Sequence, residues 1–140
     1  MDNIFRGKRC DNLEWIEGNL IQIGENYFIN SKDMWASDYK EGTLLELDCA
    51  KIFKETIGVF TGLISVKGQK AFNNDIIKFS DTEGRIFIKE ISWSNKLQSP
   101  MIGNLPYEKL YESGYIQPSK LEFEILGNLI DNPDGITSIY

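Results

Sequence analysis

The chain of 140 residues has no histidine, and its cysteines number only two, Cys10 and Cys49. Without histidine the commonest general base is missing, and with it every Ser-His-Asp or Cys-His arrangement, so only carboxylates, lysine or tyrosine remain for acid or base work. A structural zinc site wants four nitrogen or sulfur ligands, which two cysteines outside any CxxC pair do not supply. Two cysteines are also too few for a disulfide scaffold, so free thiols in a reducing cytoplasm are expected. Long apolar runs are missing as well. None approaches the roughly 20 residues of a membrane helix, and no apolar segment follows the basic start MDNIFRGKRC to act as a secretory signal. The expectation is a cytoplasmic protein with no membrane partner.

Positive charge is scarce, with 15 Lys and Arg against 21 Asp and Glu, for a net charge of −6. Nonspecific nucleic-acid affinity is drawn from several Lys/Arg contacts to phosphate, so a general polyanion binder is disfavoured. Only Arg6, Lys8 and Arg9 form a dense basic cluster, and short runs of this kind are usually solvated faces. Glycines 58, 62 and 68 form neither GxGxxG nor a P-loop, so no nucleotide site and no cofactor are expected.

Alternation of period 2 dominates what is present, which predicts a mainly β protein. EWIEGNLIQIGENYFIN, residues 14–30, reads as a hairpin around Gly24-Glu25-Asn26, with Gly18 marking a bulge. SKDMWASDYKEG shows neither period and reads as a loop holding Met34 and Trp35, followed by a short strand over Thr43–Leu47 and a connecting turn over Asp48–Lys54. Ile57–Leu63 is strand-like. Lys67-Gly68 predicts a second hairpin turn with Ile76–Ser80 as the returning strand, Asp81-Thr82-Glu83-Gly84 a type I turn, and Arg85–Trp93 a long strand.

Ser94–Gly103 carries turn-formers and reads as a loop. NLPYEKLYESG predicts the one helix, about 105–113, with Asn104 as N-cap and Gly114 past its end. KLEFEIL alternates strictly, placing Leu121, Phe123 and Ile125 on a core face and Glu122 and Glu124 on a wet one, before Gly127-Asn128 breaks the run. The architecture expected is an antiparallel meander or partly open small barrel. Its parts are an N-terminal hairpin region, 1–50, and a barrel-like region, 51–140.

Asp75, Asp81, Glu83, Asp131 and Asp134 are the best carboxylates for chemistry, yet each falls at a predicted turn, where Asp, Asn and Gly are expected for backbone reasons alone. No catalytic residue and no metal ligand is assigned. A candidate binding surface combines Arg6, Lys8, Arg9 and Trp15 with Arg85, Lys89 and Trp93, since a base-stacking platform interleaves cations with exposed rings; core filling is the competing reading of the same aromatics.

Three blocks, RGKRCDNLEWIEGNLI, KETIGVFTGLISVKGQKAFNNDIIKF and FEILGNLIDNPD, resemble the YopX-like family of phage and prophage proteins. Thr56, Gly58, Phe60, Thr61, Gly62, Leu63, Gly68, Asp75, Ile76 and Ile77 match one family block, and Gly127, Asn128, Asp131, Asn132 and Pro133 match another. Ser65 departs from an acid, and Asn73-Asn74 from Glu-Gly. Ser caps as Asp does, more weakly, and Asn tolerates positive φ, so a structural role is expected for Thr61, Gly62, Gly68, Asp75, Gly127, Asn128, Asn132 and Pro133. The resemblance implies a β-rich, partly barrel-like fold, brings no established enzymatic activity to carry over, so that none is expected, and suggests self-association into a homo-oligomer as one mode of partnering. A noncatalytic module binding its own copies or a phage or host protein is the first expectation, and a small barrel binding single-stranded nucleic acid the second.

Overall fold

The computed structural model describes residues 4–31, 49–112 and 121–136. The chain divides into two compact units, Met1–Phe60 and Thr61–Tyr140. Met34, Trp35, the strand expected over Thr43–Leu47, Gly114 and Pro118 lie outside the described residues.

In the first unit, β1 (Phe5–Lys8), β2 (Trp15–Ile23), β3 (Asn26–Asn30) and β4 (Cys49–Ile52) pair antiparallel in the order β4-β3-β2-β1. The hairpin turn falls where the sequence puts it, with Gly24 at φ +61° supplying the left-handed residue that a tight turn needs. β2 hands over between partners in mid-strand: Trp15–Gly18 pair with β1, and Asn19–Ile23 with β3. Both ladders keep their register, so Gly18 makes no bulge. It instead permits a close approach, because a Cβ there would lie 2.0 Å from the Asn30 carbonyl oxygen.

Residues 49–52, expected within a connecting turn, are strand β4; only Lys54–Thr56 form a 3-10 turn. Ile29, Ala50 and Ile52 are buried, and Ile52 packs into the space left by Gly7. The far side of β4 returns to the chain after β1 through one bridge, Arg9 to Ile52, and through hydrogen bonds from Phe53 N–H to Lys8 O and from Cys10 N–H to Lys51 O. The sheet curls without closing into a barrel.

β5 (Gly58–Ile64) runs through the division. Its start pairs with β1, and in the second unit its end neighbours β6 (Lys70–Phe72). The Lys67-Gly68 turn therefore leads to β6, and a further turn at Asn73-Asn74 leads to β7 (Asp75–Ser80). A three-residue strand is too short to show alternation, which is why the sequence reading passes directly to Ile76. β8 (Ile86–Ser94), β9 (Ser99–Ile102), β10 (Leu105–Pro106) and β11 (Phe123–Asn128) complete an antiparallel sheet in the order β10-β9-β8-β7-β11.

Ser94–Gly103 is thus a hairpin arm rather than a loop. Helix α1 spans Tyr107–Glu112, so Asn104 sits in the turn before β10 and is not the N-cap. Gly127 does not end β11; the strand continues to Asn128 with an irregular register between Ile125 and Gly127. The core gathers Ala71, Ile77, Phe79, Ile91, Ile102, Leu110, Leu121 and Phe123, and Phe79 stacks on Phe87 at 5.5 Å. Truncating a buried phenylalanine such as Phe123 to alanine costs about 3–5 kcal/mol.

Candidate functional site

Arg6 and Lys8 alternate onto one face of β1. Lys8 lies opposite Trp15 in the β1–β2 ladder, and the Arg6 guanidinium carbon and Lys8 Nζ stand 4.5 and 5.4 Å from the Trp15 ring centre. Three of the expected surface residues are therefore brought together, as a cation–aromatic cluster. Such contacts stabilise by about 0.5–2 kcal/mol, depending on exposure. They also engage the ring with the protein's own cations, where a base would need a bare face.

Arg9 belongs to a different interaction. Its Nε and Nη2 donate to the two Asp11 carboxylate oxygens at 2.9 and 2.7 Å. That pairing raises the Arg9 pKa and lowers that of Asp11. Arg85, Lys89 and Trp93 belong to the second unit. Arg85 Nε donates to Asp81 Oδ2 at 2.6 Å and its Nη2 pairs with Glu83 at 3.2 Å. Trp93 lies opposite Pro100, and its N–H donates to Asn73 Oδ1.

The signature residues hold turns. Thr61 Oγ1 donates to Ala71 O at 2.7 Å, tying β5 to β6. Gly62 and Gly68 take φ +90° and +81°. Ser65, where the family has an acid, accepts from Lys67 N–H and Gln69 N–H at 3.2 and 3.1 Å, as a capping side chain does. Asn74, where the family has glycine, sits at φ +79°. Its N–H donates to Ile91 O and its carbonyl accepts from Leu129 N–H.

Asp75 is 1% exposed, and its Oδ2 accepts the Phe72 N–H at 2.7 Å across the Asn73-Asn74 turn. In the β7–β11 ladder Asp75 faces Asn128, so the two family blocks meet. Asn128 Oδ1 accepts from Asp131 N–H, its Nδ2 donates to Asp131 Oδ2, and Asn132 Oδ1 accepts from Asn128 N–H. Gly127 leaves room for this loop, since a Cβ there would meet Asn132 Oδ1 at 2.6 Å. Pro133 follows as an exposed residue of the closing turn. Asp81 also closes a turn. Burial pushes its carboxyl up, but the Arg85 and Glu83 N–H groups and the Arg85 guanidinium outweigh this and hold it below its usual value.

One feature of the second unit has no signature in the sequence. β8 pairs with β7 over Ile86–Glu90 and with β9 over Ile91–Ser94, so the β9 side of its first half carries no strand among the described residues. β10 and α1 fall beside this gap, and a recess of about 210 Å³ remains, lined by Phe79, Phe87, Lys89, Ile102, Leu105 and Leu110. Lys89 also borders an adjoining cleft of about 350 Å³ that includes Glu90, Asn104 and Asp134. Only the alternation of β8 hints at it: Phe87, Lys89, Ile91 and Trp93 share a face, and a lysine among apolar neighbours is out of pattern.

Among the described residues no group of three or more Cys, Asp or Glu side chains is placed to hold a metal ion, and no helix is long and apolar enough to cross a membrane. No curated protein and no solved structure matches the chain. The family model described as YopX protein matches residues 4–136, which takes in both signature blocks and the turns they build. The chain belongs to the YopX protein family.

Proposed function

We propose that the protein is a noncatalytic accessory module of phage or prophage origin that works by binding protein. The observation that carries this reading is the tip of the β5–β6 hairpin. Ser65 is buried there, so the residues on either side, Ile64 and Val66, face outward at 47% and 57% exposure. The tip is held by Ser65 N–H to Gln69 O, Gly68 N–H to Ser65 O, the two bonds to Ser65 Oγ, and Val66 N–H to Phe123 O. Two large apolar side chains fixed on a braced turn suit a protein contact, because little conformational entropy is lost when they are covered. The signature carboxylates and amides support the same reading, being engaged by backbone and side-chain groups of their own turns.

The test is a light-scattering mass over a concentration series, together with affinity capture from phage-infected cells with and without nuclease. Ile64→Lys with Val66→Lys should abolish self-association or capture while leaving the melting temperature nearly unchanged. A strict monomer that captures nothing would sink the reading. The competing one, single-stranded nucleic-acid binding around Arg6, Lys8 and Trp15, requires Trp15 quenching by oligonucleotides that is strongest at low salt. Its support is weaker because that ring already meets two cations.

A further inference from the structure

We propose that the recess beside β8 is a binding site for a small apolar monocarboxylate, with Lys89 as the counter-charge. Five of its six lining residues, Phe79, Phe87, Ile102, Leu105 and Leu110, are apolar, and Lys89 is the one charged group. Among the described residues the Lys89 ammonium has no hydrogen bond or ion pair, whereas Arg9, Arg85 and Lys109 each face a carboxylate. Its stem is steered by the turn after β9: a Cβ on Gly103 would lie 3.4 Å from Lys89 Cδ.

Size sets the upper bound on the ligand. An apolar cavity of about 150 Å³ holds a benzene molecule, so about 210 Å³ accommodates one six-membered ring or a chain of about six carbons, and no nucleotide. Charge sets the headgroup. One ammonium matches a monoanion, whereas a phosphate dianion is normally gripped by several donors or a guanidinium fork. Glu90 and Asp134 in the adjoining cleft would further repel a dianion. The apolar body replaces water in the recess while the carboxylate stays at its rim beside Lys89.

Two sources share this chemistry, a free acid and the C-terminal residue of a peptide. The experiment is a two-dimensional amide NMR titration of the full chain with four probes: 3-phenylpropanoate, its neutral amide, Gly-Gly-Phe with a free carboxylate, and the same peptide amidated. Saturable shifts at Lys89, Ile102, Leu105 and Leu110 are expected for at least one acid, with its amide about tenfold weaker, as the loss of one charge-assisted contact implies. Lys89→Met should bring the acid down to the level of the amide. Leu105→Asp, a change at an exposed rim position, should abolish binding of the acid; melting curves check that both variants are folded. Binding of the free acid alone identifies a metabolite-like ligand and binding of the peptide acid alone a chain end, and either outcome supports the site. Equal affinity for acid and amide, unchanged binding by Lys89→Met, or no saturable shift at these residues would overturn it. The hairpin tip would be untouched by that failure, since its own tests do not involve the recess.

Discussion

Each unit contains one nine-residue strand that changes partners in mid-course, and the two solve the same problem differently. β2 passes from β1 to β3 at Gly18-Asn19, and β8 passes from β7 to β9 at Glu90-Ile91. In the first unit the crossing is made by removing a side chain, so that the Gly18 backbone lies against the Asn30 carbonyl. In the second it is made by adding polar atoms: Asn74 N–H meets Ile91 O, Asn73 Oδ1 meets Trp93 N–H, and Asp75 locks the turn that presents them. The glycine crossing leaves no room for anything else. At the amide-braced crossing the β9 side of Ile86–Glu90 has no strand partner among the described residues, and the recess lies beside it. Of the three residues that brace the second crossing, Asp75 matches the family block, while Asn73 and Asn74 depart from it and still supply an acceptor and a backbone donor there.

The largest effect should come from Gly18→Ala. A methyl 2.0 Å from a backbone oxygen has no rotamer to escape into, so β2 and β3 must separate. A loss of about 3 kcal/mol or more is expected, read as a lower denaturation midpoint, with amide protection lost first in β2 and β3. Asp75→Ala comes next, at about 1–3 kcal/mol, since it strips a buried N–H of its acceptor; here protection should fall first in β6 and β7. If the melting temperature stays put and partner capture is lost instead, Asp75 is a binding residue and the structural account of it fails.

Asn74 gives a finer comparison. Asn74→Ala should cost about 1 kcal/mol because alanine resists φ +79°, while Asn74→Gly should be neutral within a few tenths of a kcal/mol. If both are equally harmful, the Asn74 side chain has a role beyond its backbone angle. The smallest effect concerns acid. The Asp81 pKa lies below its ordinary 3.8 in the folded chain, so its contribution is fully present above that value and is lost as pH falls through the lower folded value. Asp81→Asn keeps an acceptor for the Glu83 and Arg85 N–H groups but loses the ion pair. Its stability should therefore vary less than that of the wild type below about pH 4. An unchanged acid slope in urea titrations across that range would assign the pH response to other carboxylates.

Much of this fold is legible in the residues themselves. Asp81–Gly84 closes as a type I turn should, with Gly84 N–H on Asp81 O. Leu121 and Phe123 point inward as the alternation of KLEFEIL requires. The replacements at Ser65 and Asn74 keep the capping and positive φ that their turns demand. Strands β4, β6 and β9 escape such reading because three or four residues carry too few alternations to separate a strand from a turn. Nor does local sequence indicate that Asn104 precedes a strand: its neighbours Leu105 and Pro106 suit a helix start equally well, and the choice is made by pairing with Ile102 and Met101. The cation cluster was readable only as a list; that Arg6 and Lys8 flank Trp15 while Arg9 turns to Asp11 follows from register. The recess left no trace beyond the lysine in the alternation of β8, for it depends on where β9 stops beside β8.

The position of β11 has a consequence for synthesis. Its residues, 123–128, are the only strand partner on the outer side of β7 among the described residues, yet they leave the ribosome well after β7 and β8 can pair. Until they arrive, the row of backbone groups along β7, with Ile77 and Phe79 beside it, is an open template for another chain. Released chains truncated ahead of Phe123 should therefore depend on chaperones or aggregate, and the full chain should not.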